Sequence, residues 1–109
     1  MYNLSIKPLT FLGSTLDDLK AFPAAARRSA GYELSRVQDG HDPSDWKPMP
    51  SVWAGVYEIR IHEDGEFRVF YVAKRADAIY VLHAFRKKTQ QTRKADIEQG
   101  RQRLKLIGE

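Results

Sequence analysis

The sequence predicts an α+β domain: a small, mainly antiparallel β-sheet with an N-terminal αα-hairpin and a C-terminal helix, in the order β-α-α-β-β-β-α. Three observations predict it. Helical periodicity is confined to two stretches, residues 15–37 and 94–107. Three strand-like segments follow one another between positions 56 and 85. The last of these is almost wholly apolar, as suits a strand inside a sheet. Strands grouped together with helices at either end read as α+β rather than as a doubly wound fold.

The elements follow in order. Tyr2–Pro8 alternates, with Leu4 and Ile6 on one face, and Pro8 ends it or places it at an edge. Ser14 or Thr15 can cap a helix whose first turn holds Asp17 and Asp18, suited to the positive end of the dipole, and Leu16, Leu19 and Phe22 follow at helical spacing. Pro23 opens a second helix over Ala24–Val37, with Ala26, Ala30, Leu34 and Val37 as its apolar stripe. Gln38–Pro50 is dense in Asp, Gly and Pro and reads as irregular, with Trp46 and Trp53 as anchors that pack it. Val56–His62 places Tyr57, Ile59 and Ile61 on one face and Glu58, Arg60 and His62 on the other. Glu63–Glu66 turns, and Phe67–Ala73 returns as the second strand of a hairpin. Ala78–Phe85 is the apolar interior strand. Lys94–Ile107 is the last helix, with Ile97, Leu104 and Ile107 inward, and Gly100 weakens it by roughly 1 kcal/mol relative to alanine. The helices are expected on one face of the sheet, the other face being partly open.

At 109 residues the chain is expected to form one domain over residues 1–109. The absence of cysteine excludes a disulfide scaffold, thiolate zinc sites and thiol nucleophiles, and fits a reducing compartment. Neither a signal sequence nor a membrane-spanning run is visible, so a cytoplasmic location away from membranes is expected. The net charge of +4 is unevenly placed: residues 86–109 carry +5 and the remainder −1. Such asymmetry points to an anionic partner.

The run Val81–Thr92, VLHAFRKKTQQT, carries the most chemistry. An apolar strand delivers His83 and then breaks into Arg86, Lys87 and Lys88. Fixed positive charge beside a titratable imidazole suits work on phosphate. The competing reading makes the three cations solvated gatekeepers at a strand edge. Arg60 and Arg68 flank the hairpin turn, where pairing brings both toward the open face, and buried arginines need anionic partners. Those are either a bound phosphate or Glu58 in a cross-strand ion pair. Tyr57, Phe67, Phe70, Tyr71 and Tyr80 interleave with these charges, most as core and one or two available to stack on bases. No His/Asp/Glu spacing resembles a metal site, and no cofactor motif is present.

Taken together, GVYEIRI (Gly55–Ile61), FRVFYVAK (Phe67–Lys74) and VLHAFRKKTQQT resemble the RelE/HigB superfamily of toxins from type II toxin–antitoxin modules, in its phage-derived HigB-like branch. DWKPMPSV (Asp45–Val52) fits one subgroup of that branch, and the likeness spans roughly residues 30–105. Arg93 and Gly100 depart from it, standing where relatives often carry proline and alanine. The resemblance implies a RelE-like fold and an endoribonuclease, often one cutting mRNA on the ribosome. It implies as partner a cognate antitoxin, commonly a HigA-like helix-turn-helix protein. Carried over by position, Arg68 matches the arginine that contacts the scissile phosphate, Arg60 a basic position on the preceding strand, Lys87 and Lys88 the paired lysines, and His83 the strand histidine. Lys88, Arg86 and Lys47 are then expected to bind RNA phosphates, with His83 or Glu58 moving protons. ParE-like members of the superfamily instead inhibit DNA gyrase, and a non-catalytic nucleic-acid-binding phage regulator is a further alternative.

Overall fold

A computed structural model describes residues 6–108. The elements are β1 (Leu9–Phe11), α1 (Thr15–Lys20), α2 (Ala24–Gln38), β2 (Trp46–Pro48), β3 (Tyr57–Ile61), β4 (Phe67–Val72), β5 (Ile79–Arg86) and α3 (Lys94–Lys105). The expected α+β order is present, with one further short strand, β2, inside the segment read as irregular. Five strands form one sheet in the order β1-β5-β4-β3-β2. β1 runs parallel to β5 and every other pair is antiparallel.

The first strand lies later than its alternation suggested. Residues 2–5 fall outside the described segment, and the ladder starts where Pro8 was expected to end it. The Pro8 carbonyl accepts from Ile79 N–H at 2.9 Å, and Leu9–Phe11 then pair with Ile79–Val81. Proline lacks only a donor, so its carbonyl is free to open a strand. Ser14 occupies the N-cap of α1 without a side-chain bond to the helix backbone; its hydroxyl turns instead to Asp18.

The two helical regions do not share a face, contrary to expectation. α1 and α2 cover the first face, where Leu19, Phe22, Ala30 and Leu34 pack on Ile59, Ile61, Val69 and Val81. α3 lies on the second face with the loop after β2, and there Met49, Val52, Phe70, Leu82 and Leu104 form a smaller core. β4 is consequently buried along its whole length. Gly100 permits the docking of α3. A Cβ there would lie 3.1 Å from Phe70 and from Val52, so the residue that weakens the helix also lets it sit close to the sheet.

The strands alternate faces except at one place. Phe70 pairs with His83 but Tyr71 pairs with Val81, so Leu82 is an extra residue, a β-bulge. Leu82 joins the second-face core, and His83 meets α3 on that same face. Side chains beyond the bulge are thereby re-assigned: Ala84 returns to the first face and Phe85 to the second.

Candidate functional site

The register lays out the second face as a grid. One row runs from Arg60 on β3 through Arg68 on β4 to Phe85 on β5; the next runs from Glu58 through Phe70 to His83. Lys47 on β2 stands beside Glu58. Arg60 and Arg68 are direct cross-strand partners, an arrangement of like charges that costs stability unless anions intervene.

The protein supplies those anions sparingly. Arg68, 3 % exposed, donates to the Phe67 carbonyl at 2.9 Å and lies 3.0 Å from Glu66. Its Nε faces Glu58 Oε1 at 3.8 Å, too far for a hydrogen bond. Glu58 is fully buried, and neither of its carboxylate oxygens has a hydrogen-bond partner in the protein; Arg60 Nε and Arg68 Nε are likewise unpartnered. Among the described residues, buried side-chain polar atoms without a partner are these four and His83 Nδ1. Native interiors rarely leave such groups unpaired, so four at one spot set this part of the face apart from the rest of the interior.

Burial pushes the Glu58 carboxyl above its usual range, while Arg68, Lys47, Lys87 and Arg60 pull it back. Lys87 sits just past β5, its backbone N–H bonded to the Glu66 carbonyl at 2.7 Å. Burial and the nearby Arg68 lower its ammonium below the usual lysine range. A carboxyl pushed up and an amine pushed down thus share one field of arginines.

Of the residues the sequence singles out, Arg60, Arg68, Lys47, Lys87 and Glu58 converge. His83 stands apart, with Phe70 between it and Glu58. Its Nε2 bonds Asp96 of α3 at 2.8 Å, its ring stacks on Phe85 at 4.7 Å, and burial lowers its pKa. Arg86 lies over the Phe67 ring, 5.5 Å from its centroid, and so toward the first face. Lys88 is exposed. Of the interleaved aromatics, Phe67, Phe70 and Tyr71 are core, Tyr57 packs between Trp46 and Tyr71 on the first face, and half-buried Tyr80 lies on the second face opposite Val72, away from Arg60 and Arg68. Trp53, read as an anchor, is 48 % exposed.

Two groups of residues were not foreseen. Asp96 fixes His83, and Arg93 in turn holds Asp96 at 3.1 Å. At the hairpin turn, His62 lies between Asp45, at 2.6 Å, and Glu66, at 2.8 Å. The sequence does hint at the latter: His62 and Glu66 are four apart across a tight turn in which Asp64 and Gly65 adopt positive φ, which folds them back together.

The family model described as phage derived protein Gp49-like (DUF891) matches residues 17–105. That span holds every residue of the cluster. No curated protein matches the chain significantly.

Proposed function

The chain belongs to the phage-derived Gp49-like family, which is associated with RelE/HigB-like toxins, and on that premise we propose that residues 1–109 are a single toxin domain that cleaves mRNA. In this reading it is the toxin of a type II module, held in check by a HigA-like antitoxin and acting in the cytoplasm on ribosome-bound message. The observation that carries the proposal is the unpartnered cluster of Glu58, Arg60 and Arg68 beside Lys47 and Lys87.

The reaction follows from what these groups can do. RNA brings its own nucleophile, the ribose 2′-OH. Glu58, with its affinity for protons raised by burial, takes the hydroxyl proton as the oxygen attacks the adjacent phosphorus. Arg68 and Arg60 neutralise the charge that builds on the phosphorane oxygens. The bond to the 5′-oxygen breaks, Lys87 gives that oxygen a proton, and a 2′,3′-cyclic phosphate remains. Lys47 and Lys88 hold neighbouring phosphates. Arg86 contributes long-range charge, and His83 acts indirectly by keeping α3 seated.

Mapping mRNA 5′ ends after brief induction, with and without translation, tests the reading. New ends paired with cyclic phosphates are expected, and their loss when translation stops would place the cut on the ribosome. Arg68→Lys keeps the charge beside Glu58 but not the forked geometry, so it should lower cleavage by roughly 10²-fold or more. Full toxicity from soluble Arg68→Lys and Arg68→Ala proteins would overturn the assignment. DNA damage with intact mRNA would favour gyrase inhibition, and salt-sensitive binding without cleavage a regulatory role.

A further inference from the structure

Arg68 is assigned to the substrate phosphate, yet it is almost wholly covered, and its outward partner is Glu66, whose side chain is 46 % exposed. We propose that Glu66 is a resident anion on Arg68 which a phosphodiester of single-stranded RNA displaces, and that His62 is where the displaced carboxylate withdraws. The inference rests on the reading of this face as an RNA site and adds to it a competition for Arg68.

The geometry gives Glu66 two places to be. Its Oε1 is shared between Arg68 Nη2 at 3.0 Å and His62 Nδ1 at 2.8 Å, whereas Oε2 lies 2.9 Å from His62 Nδ1 alone. A small rotation therefore frees Arg68 without leaving the carboxylate unpartnered. The second ring nitrogen of His62 faces Asp45 Oδ2 at 2.6 Å. An imidazole flanked by a carboxylate on each nitrogen can donate to both only when protonated. Glu33 of α2, Glu63 of the turn and Arg60 of β3 line the shallow cleft beside the ring. The bonds from Asp45, then Glu66, hold the imidazole above its ordinary pKa of 6.5. Contact with His62 and Arg68 holds Glu66 below the usual carboxylate range, so it stays an anion throughout.

The sign of the pH dependence follows. Below the raised pKa of His62 the imidazolium offers Glu66 an alternative to Arg68, and displacement is easy. As pH rises through that value one donor is lost, Glu66 settles on Arg68, and the phosphodiester binds less well. The phosphodiester itself keeps its charge over this range.

A fluorescent single-stranded RNA with methylated 2′-oxygens, which cannot be cleaved, serves as the probe in anisotropy titrations from pH 5.5 to 8.5. The wild-type chain is compared with Glu66→Gln and His62→Gln, at a half-buried and an exposed position that both lie outside the hydrophobic core. Glu66→Gln should bind about two- to fivefold more tightly at neutral pH and lose the pH step. His62→Gln should bind at all pH values as the wild type does at the alkaline end. If the wild type binds and Glu66→Gln binds equally or more weakly, Glu66 merely orients Arg68: the competition is overturned and the RNA site stands. Tighter binding by Glu66→Gln with the pH step intact overturns the part given to His62. Failure of both wild type and Glu66→Gln to bind removes the RNA reading and the competition with it.

Discussion

The second face of the sheet buries charge in two places, and the two are finished differently. Under α3, His83 meets Asp96, Asp96 meets Arg93, and Arg103 donates to the Thr15 hydroxyl at 2.7 Å, the Leu82 carbonyl at 3.0 Å and the Ser14 hydroxyl at 3.0 Å. Beside β2, Glu58, Arg60 and Arg68 leave four polar atoms without partners. Both groups cost desolvation energy, but the first recovers most of it inside the chain, leaving only His83 Nδ1 without a partner. Burial of charge alone therefore says little about function. Whether the protein completes the hydrogen bonds separates a fastening from a site.

Exchanging the charges one at a time sharpens the contrast. The largest effect is expected from Glu58→Gln, which keeps shape and removes the proton acceptor. Cleavage should fall by roughly 10²–10⁴-fold, while the melting temperature changes little, because the buried carboxylate faces Arg68 at 3.8 Å without a hydrogen bond to lose. A marked drop in melting temperature would show that Glu58 is a fastening after all. Asp96→Asn should do the reverse: thermal or denaturant unfolding should register a loss of about 1–3 kcal/mol, with cleavage by the folded protein within a few-fold of wild type.

A smaller effect is expected from His83→Gln, which can still donate to Asp96. It should cost about 1 kcal/mol and leave the rate nearly unchanged; a hundredfold loss of rate in a stable protein would return His83 to the chemistry. Smallest is the response of stability to pH, where the two groups pull in opposite directions. Glu58 has its folded pKa raised above 4.5, so its contribution is present below that value and lost as pH climbs through the folded pKa. His83 has its folded pKa lowered below 6.5, so its contribution is present above 6.5 and lost as pH falls through the folded value. Denaturant midpoints measured from pH 4 to 8 should lose the first trend in Glu58→Gln and the second in His83→Gln.

Much of this arrangement was legible in the sequence. The hairpin spacing put Arg60 opposite Arg68 and left Glu58 on their face, because period-two alternation and a tight turn fix register together. The helices were found within a residue or two for a similar reason, their apolar stripes agreeing with Pro23 at the start of α2. What stayed hidden depends on contacts between distant parts of the chain. Asp96 looks like an ordinary acid in a first helical turn until α3 docks and brings it to His83. β2 ends in a proline and has three residues, which only an edge position tolerates. The bulge escaped notice because Leu82, His83 and Ala84 suit either face of a buried strand, so no break in alternation announces it.

That bulge also decides how the strand tolerates a change in length. With an unbroken alternation, Arg86 would enter the cluster and Lys87 would point away, so the extra residue selects which cation the site receives. Losing Leu82 itself would straighten the ladder and leave Lys87 where it is. Losing or gaining one residue between Ala84 and Arg86 would exchange the two cations while scarcely altering the composition. Leu82 thus absorbs a deletion that Phe85, three residues further on, could not.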